Sequence, residues 1–288
     1  MKIYGVSMVR DEADIIALSV RHHLALGLDR VIVVDNGSRD ETADVLERLN
    51  SDSRFSWRRM ETDGHRQAEI FTALAEEAHR DGADWLLPFD ADEFWDTRGA
   101  RLRDILHDCD AGALRAPLVN FVQARDRVDD NNTCSLATMN HRTKPHGHGI
   151  EQNRTLVENG EIAYVEAHQY PKMLTRLSPQ TRIGMGNHTV STAAGVSQRT
   201  QAMRVLHAPL HSRSCLPRKA ENGRRVARLY ADPDIGWHSK RFARLEAEGF
   251  LDREWLANSQ HDGQLDLPGG RSPVLRDDSL VNAVAEWL

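Results

Sequence analysis

Three carboxylates stand within four residues at the end of an apolar run: in "LLPFDADEFW", Leu86 to Trp95, the acids are Asp90, Asp92 and Glu93. Side chains two apart on a strand project to one side, so Asp90 and Asp92 share a face while Glu93 points the other way or opens a turn. Like charges that close raise each other's pKa or call for a cation between them. A hard divalent ion, Mg2+ or Mn2+, takes such oxygen ligands and shares them with substrate phosphates. A solvated acidic turn is the plainer alternative, and a lone Asp-x-Asp pair does not decide between them.

Asp35 adds weight because it also ends an apolar run, in "RVIVVDNGSRDET". Asn36, Gly37 and Ser38 then make a tight turn into a helix, where backbone N–H groups receive an anion or a polar ligand edge. A carboxylate there holds ribose hydroxyls or a base edge, or it simply caps the turn. His65 and Gln67 open the next helix in "TDGHRQAEIF". His207, His211, Arg213 and Lys219 cluster in "LHAPLHSRSCLPRK", and His146 and His148 sit between glycines in "TKPHGHGIEQNR". Without convincing partner ligands, the last pair reads as a loop rather than a metal site.

The elements that must position these residues alternate strand and helix through the first half. "KIYGVSMV", "RVIVVD", "FSWRRME" and "DWLLPFDADEFW" read as strands, and the continuous apolar character of "RVIVVD" is that of a strand covered on both faces. Between them fall helices: "DEADIIALSVRHHLALGL", a helix starting at Ser38 with Glu41 in a capping box, and "RQAEIFTALAEEAHRDG" stopping near Gly82. This order predicts crossover units and a mostly parallel sheet. Beyond Trp95 the pattern loosens into a helix at "LRDILHDC", a strand at "ALRAPLVNFV" and a polar stretch from Asp126 to Gln152. Further strands are expected at "EIAYVEA", "KMLTRL" and "QAMRVLHAPL". From Leu216 the chain reads as helical, with a turn-rich tail at "DGQLDLPGGRSP".

The chain of 288 residues is 40% hydrophobic and 28% charged, an ordinary globular composition, and its net charge of -6 argues against gripping nucleic acid. Cys109, Cys134 and Cys215 lack the spacing of a zinc site or a disulfide framework. Charge arrives at Arg10, too early for a signal-peptide core, and no apolar run approaches the roughly 18 residues of a spanning helix. A soluble cytoplasmic protein is the expectation.

"VRDEADIIALSVRHHLALGLDRVIVVDNGSRDET", followed some fifty residues on by "DWLLPFDADEFW", resembles the GT-A fold glycosyltransferases of the family 2 type, in the bacterial branch with an Asp-x-Asp-Glu-Phe signature. "LHAPLHSRSCLPRKAENG" is similar to the same family's His-x-Pro segment. The resemblance implies a Rossmann-like, mostly parallel α/β sheet flanked by helices, with a helical C-terminal extension. With the composition shift near Asp126 and the helical character from Leu216 as boundaries, the chain is expected to comprise a nucleotide-sugar-binding half, 1–125, an acceptor-side half of the same domain, 126–215, and the extension, 216–288.

The resemblance further implies sugar transfer from a nucleotide-diphosphate sugar, UDP-type favoured, to a saccharide or other acceptor hydroxyl, with inversion, and Mn2+ or Mg2+ as cofactor. Val9, Arg10, Glu12, Asp35, Asn36, Gly37, His65, Gln67, Asp90, Ala91, Arg213 and Lys219 are then expected at the nucleotide sugar. Asp90, Asp92 and His207 or His211 are expected at the metal. An inverting transfer needs a base for the acceptor proton. His188 in "GMGNHTV" is the first choice, with Glu93 and Glu151 behind it. Peripheral membrane contact and a homo-oligomer are left open. The rival readings are a nucleotidyltransferase, which should announce a Gly-rich phosphate loop that "MKIYGVSMVRDE" lacks, and a non-catalytic nucleotide- or carbohydrate-binding module.

Overall fold

A computed structural model describes residues 1–60, 66–126 and 135–288. In chain order its first elements are β1 (Ile3–Val9), α1 (Ile16–Ala25), β2 (Arg30–Asp35), α2 (Thr42–Leu49), β3 (Phe55–Arg59), α3 (Gln67–Arg80), β4 (Trp85–Pro88), β5 (Glu93–Asp96), α4 (Leu102–His107), β6 (Ala113–Ala116) and β7 (Leu118–Val122). There follow β8 (His141–Thr143), α5 (Asn153–Glu158), β9 (Lys172–Arg176), β10 (Arg182–Ile183), β11 (Val190–Ser191), β12 (Ser197–Arg199) and β13 (Arg204–His207). The chain closes with α6 (Cys215–Leu229), α7 (Trp237–Ala247), α8 (Leu251–Asn258), β14 (Gln264–Leu267), β15 (Gly270–Arg276) and α9 (Ser279–Val284). Among the described residues no helix is long and apolar enough to cross a membrane.

The chain forms two compact units, and each is built from separated stretches. The first holds residues 1–118 and 170–207, the second 119–169 and 208–286. In the first unit a seven-stranded sheet runs in the order β12-β6-β9-β4-β1-β2-β3. β3, β2, β1 and β4 are mutually parallel, and β9 runs antiparallel between β4 and β6. β1 and β2 are buried almost without interruption, which is why "RVIVVD" carries no polar alternation. One face is covered by α3, whose Ile70, Phe71, Leu74 and Ala78 pack on Val6, Ile32, Val34 and Leu86.

The chain order β1, β2, β3 steps one way along the sheet, and β4 lies on the other side of β1. Open α/β sheets place their ligands at such a reversal, here at the carboxyl ends of β1 and β4. The mixed α/β architecture expected from the strand–helix alternation is therefore present.

In the second unit β7, β8, β15 and β14 pair in that order, all antiparallel, and α6 packs on α7. Its core gathers Val157, Tyr164, Leu216, Phe242, Trp255 and Leu265.

Four local expectations are corrected. Ser38 is not a helix cap: its hydroxyl bonds Asp35, and α2 begins at Thr42, whose N–H donates to Asp40 at 2.9 Å. "EIAYVEA" forms no strand, because side-chain amides meet its backbone groups instead of a ladder. Asn258 accepts from the Val165 N–H at 2.9 Å and Asn120 donates to the Val165 carbonyl at 2.8 Å, leaving a 3-10 turn at Tyr164–Glu166. The tail read as turns within a helical extension is a hairpin, β14 against β15, with Leu267 paired to Gly270 across Pro268 and Gly269. The apolar run ending in "FDADEFW" is two strands, with Asp90 and Asp92 on the turn between them and Glu93 opening the second.

Candidate active site

That turn is where the chemistry gathers. β4 and Phe89 are buried throughout, then the N–H of Glu93, the first residue of β5, closes on the Asp90 carbonyl at 3.1 Å. Two histidines of α1 support it from below. His23 stacks on Phe89 with ring centroids 3.9 Å apart, and His22 Nε2 bonds the Trp95 carbonyl at 2.8 Å. Because Asp90 and Asp92 sit on a turn, the strand argument for a shared face does not apply to them. Glu93, the residue expected to face away, is the one drawn inside, at 2% exposure.

What makes that much negative charge tolerable is a lysine that sequence reading passed over. Lys172, the first residue of β9 and 3% exposed, donates to Asp90 Oδ2 at 2.7 Å, to Glu93 Oε1 at 2.8 Å and to the Gly186 carbonyl at 2.8 Å. All three ammonium donors are used. Burial alone would lower Lys172, but attraction by Asp90 and Glu93 overrides it and holds the ammonium above the usual lysine range. Burial pushes Glu93 up to about 8, Lys172 opposes the shift, and the charges of Asp90 and Asp92 add to it.

Gln67, the first residue of α3, is 8% exposed and faces the same turn. Its Nε2 donates to Asp90 Oδ1 at 3.1 Å, and its Oε1 accepts the Gly186 N–H at 3.1 Å. Gly186 has the left-handed φ of 65°, and a Cβ there would fall 2.6 Å from the His188 ring. Asn187 pins the same loop, donating to the Met173 carbonyl at 3.0 Å.

His188 Nδ1 lies 3.3 Å from the Pro171 carbonyl. A carbonyl only accepts, so Nδ1 carries the proton and Nε2 keeps its lone pair. Burial and the Lys172 charge hold His188 down to about 4, a neutral imidazole at pH 7. The Tyr170 ring stands 5.7 Å from it and is 56% exposed.

On the other side of the turn, β13 pairs antiparallel with β5 and sets His207 opposite Glu93. This brings His207 Nε2 to 3.5 Å from Asp92 Oδ2. At the end of β2, Asp35 is fully buried, and its Oδ1 accepts from the Ser38 N–H at 2.9 Å and from the Ser38 hydroxyl at 2.5 Å. Its Oδ2 is buried without a hydrogen bond among the described residues, and the Arg59 guanidinium stops 3.9 Å away. Such an oxygen is costly unless something donates to it.

Around it, Val9 pairs with Asp35 in register, and the Asn36 N–H donates to the Val9 carbonyl at 2.8 Å. Arg10 Nη1 holds the Asn36 carbonyl at 2.9 Å, Gly37 turns the chain at φ 72°, and the Glu12 N–H reaches Thr42 Oγ1 at 2.9 Å.

The first unit thus brings together Asp35 and its turn, Gln67, Asp90, Ala91, Asp92, Glu93, His188 and His207. Glu151, His211, Arg213 and Lys219 belong to the second unit. There Glu151 is exposed on a one-turn helix, Arg213 pairs with Asp252, and His211 is buried with Nε2 3.4 Å from Cys215 Sγ. His146 and His168 are in ring contact in that unit, and each gives Nε2 to a backbone carbonyl, of Glu166 and His146 respectively. His65 lies outside the described residues.

The family model of glycosyl transferase family 2 matches residues 8–164, more than half of the chain and the span that carries Asp35, Gln67 and the acidic turn. The chain belongs to glycosyl transferase family 2. It is a glycosyltransferase of GT-A type. No curated protein matches the chain. Among solved structures, residues 1–349 of S. aureus TarS are similar at 9% identity and a TM-score of 0.42, over 90% of this chain and 71% of that one. The same protein in complex with UDP-GlcNAc is similar at 12% identity and a TM-score of 0.36, over 91% and 75%. Glucosyl-3-phosphoglycerate synthase from Mycobacterium tuberculosis, in complex with Mn2+, UDP and glucosyl-3-phosphoglycerate, is similar at 18% identity and a TM-score of 0.28, over 41% and 44%.

Proposed function

We propose that this family 2 transferase takes a sugar from a UDP-type donor and passes it, with inversion and with the help of Mn2+ or Mg2+, to an acceptor hydroxyl. The observation that carries the reading is the pairing of two features at the carboxyl ends of β2 and β4, on either side of β1. One is an open, buried carboxylate oxygen on Asp35. The other is an acidic turn flanked by the imidazoles of His207 and His188.

Asp35 Oδ2 receives an N–H or O–H of the nucleoside, which supplies its missing donor. Asp92 and His207 offer the oxygen and nitrogen donors that suit Mn2+ or Mg2+, and these two residues would hold the ion. The bound ion supplies charge stabilisation for the departing diphosphate. His188 orients the acceptor hydroxyl on Nε2 and takes its proton as the hydroxyl oxygen bonds the anomeric carbon and the bond from that carbon to the diphosphate oxygen breaks. The donor's negative charge moves the imidazole back toward its usual basicity, offsetting burial and Lys172.

Calorimetry of UDP with and without Mn2+, followed by nucleotide release across UDP-, GDP- and dTDP-sugars, tests the reading. Mn2+-dependent UDP binding that Asp92→Ala removes, together with release from one donor, supports it. Binding without release from any donor turns the reading toward a binding module, and no metal-dependent binding overturns it.

A further inference from the structure

Asp90 and Gly186 are joined twice. Lys172 Nζ donates to Asp90 Oδ2 at 2.7 Å and to the Gly186 carbonyl at 2.8 Å. Gln67 Nε2 donates to Asp90 Oδ1 at 3.1 Å, while Gln67 Oε1 accepts the Gly186 N–H at 3.1 Å. The two side chains come from different elements, the head of β9 and the first turn of α3, and they close a ring. Within it both carboxylate oxygens of Asp90 and both backbone polar groups of Gly186 are engaged. Lys172 and Gln67 are 3% and 8% exposed, so water scarcely competes for these bonds.

The ring has a consequence for chemistry because Gly186 is packed against the His188 imidazole. The ring atoms of His188 fill the place where a Cβ on Gly186 would stand, and Pro171, next to Lys172, holds His188 Nδ1. Shifting Gly186 therefore shifts the imidazole. A single bridge fixes a distance but lets the loop pivot. Two bridges of different chemistry, an ammonium on the carbonyl and an amide on the N–H, fix its rotation as well.

We propose that Lys172 and Gln67 are positioning residues that lock the His188 loop to Asp90, and that Asp90 is the anchor of this loop rather than a ligand of the cation. The acidic turn then divides its work. Asp90 and Glu93 face the chain's own ammonium, whereas Asp92 faces His207 across 3.5 Å, the pair assigned to the ion above. The effect on turnover rests on the transferase reading above, whereas the ring itself can be read without any turnover.

The test uses the whole chain with Gln67→Leu, Lys172→Met, Asp90→Asn and Asp92→Asn. Amide hydrogen exchange at 185–188 is expected to rise by about tenfold or more in Gln67→Leu and Lys172→Met, with residues 30–36 unchanged. UDP affinity in the presence of Mn2+ should stay within about twofold in both, while kcat for nucleotide release from the UDP-sugar most active in the donor screen, with water as acceptor, falls by about tenfold or more at unchanged KM. Asp90→Asn should retain Mn2+-dependent UDP binding, and Asp92→Asn should lose it.

Because Lys172→Met also strips Glu93 of its partner, Gln67→Leu, which removes no charge, carries the test if the lysine variant fails to fold. Unchanged exchange at 185–188 in Gln67→Leu overturns the proposal. So does a loss of UDP affinity in Asp90→Asn that equals the loss in Asp92→Asn. A wild-type chain that binds no UDP with Mn2+ defeats the transferase reading instead, and the exchange experiment still decides the ring.

Discussion

His207 Nε2 lies 3.5 Å from Asp92 Oδ2, carried there by a strand whose last residue pairs with Glu93. The contact joins residues more than a hundred positions apart, beside the acidic turn. Replacing His207 with Ala is expected to lower Mn2+-dependent UDP affinity by about tenfold or more while leaving metal-free affinity unchanged. Calorimetry at several Mn2+ concentrations would check this, and equal losses with and without Mn2+ would count against a metal role for the imidazole.

Lys172→Met should destabilise the protein by about 3 kcal/mol, since removing one partner of a buried pair strands the other. Adding Asp90→Asn to it should recover part of the loss, because the carboxylate left without its ammonium is then neutral, whereas Glu93, at about 8, is already largely protonated at pH 7. Chemical denaturation of the two variants and the wild type provides the comparison.

In the metal-free protein, stability should fall as pH rises from 6.5 to 8. Glu93 moves from 4.5 in a free chain to about 8 when folded, so the folded state binds the extra proton and its contribution is lost through that window. His188 works in the opposite sense, its 6.5 reduced to about 4, and gains stability for the fold between those values as pH rises. Above 6.5 the His188 contribution fades as the unfolded imidazole loses its remaining proton, and Glu93 sets the slope. Glu93→Gln is therefore expected to flatten the decline between pH 6.5 and 8, a change on the order of 1 kcal/mol. An unaltered slope in denaturation midpoints would remove Glu93 as its source.

Gly186→Ala combines a side chain at φ 65° with a contact of 2.6 Å to the His188 ring. Turnover should drop by about tenfold or more through displacement of the imidazole, with little change in UDP affinity. Equal damage to both would mean the loop serves the donor.

Tyr170 is an exposed aromatic ring beside His188, a surface suited to the apolar face of a sugar. Tyr170→Ala should raise the acceptor KM by about tenfold once an acceptor is in hand, Tyr170→Phe should preserve it, and donor hydrolysis should be indifferent to both.

The elements around Asp35 and the acidic turn were legible because they are written in consecutive residues. Asp35 and the Asp90–Glu93 acids each end an apolar run, and a strand covered on both faces announces itself by lacking alternation. What could not be read were partners fixed by the fold. Lys172 stands 82 residues from Asp90, and at the head of "KMLTRL" it looks like any lysine opening a strand. Gln67 was expected at the donor from its place at the head of a helix, and its bonds to Asp90 and Gly186, 23 and 119 residues away, could not be read from that place. Strand and turn were confused at "FDADEFW" because an apolar sequence continues through both. Nor does composition show that the first unit resumes at 170, since that depends on which strands pair.

The pairing of β6 with β9 sets Ala116 opposite Lys172. The chain therefore leaves the seven-stranded sheet and re-enters it through neighbouring positions, as through a single doorway. Loops in the stretch between can be lengthened, shortened or exchanged without disturbing the register of the seven-stranded sheet. Related chains have a place to diversify, then, without renegotiating the fold. Lys172 stands on the threshold: each new insert must hand the chain back to a residue already bound to the acidic turn.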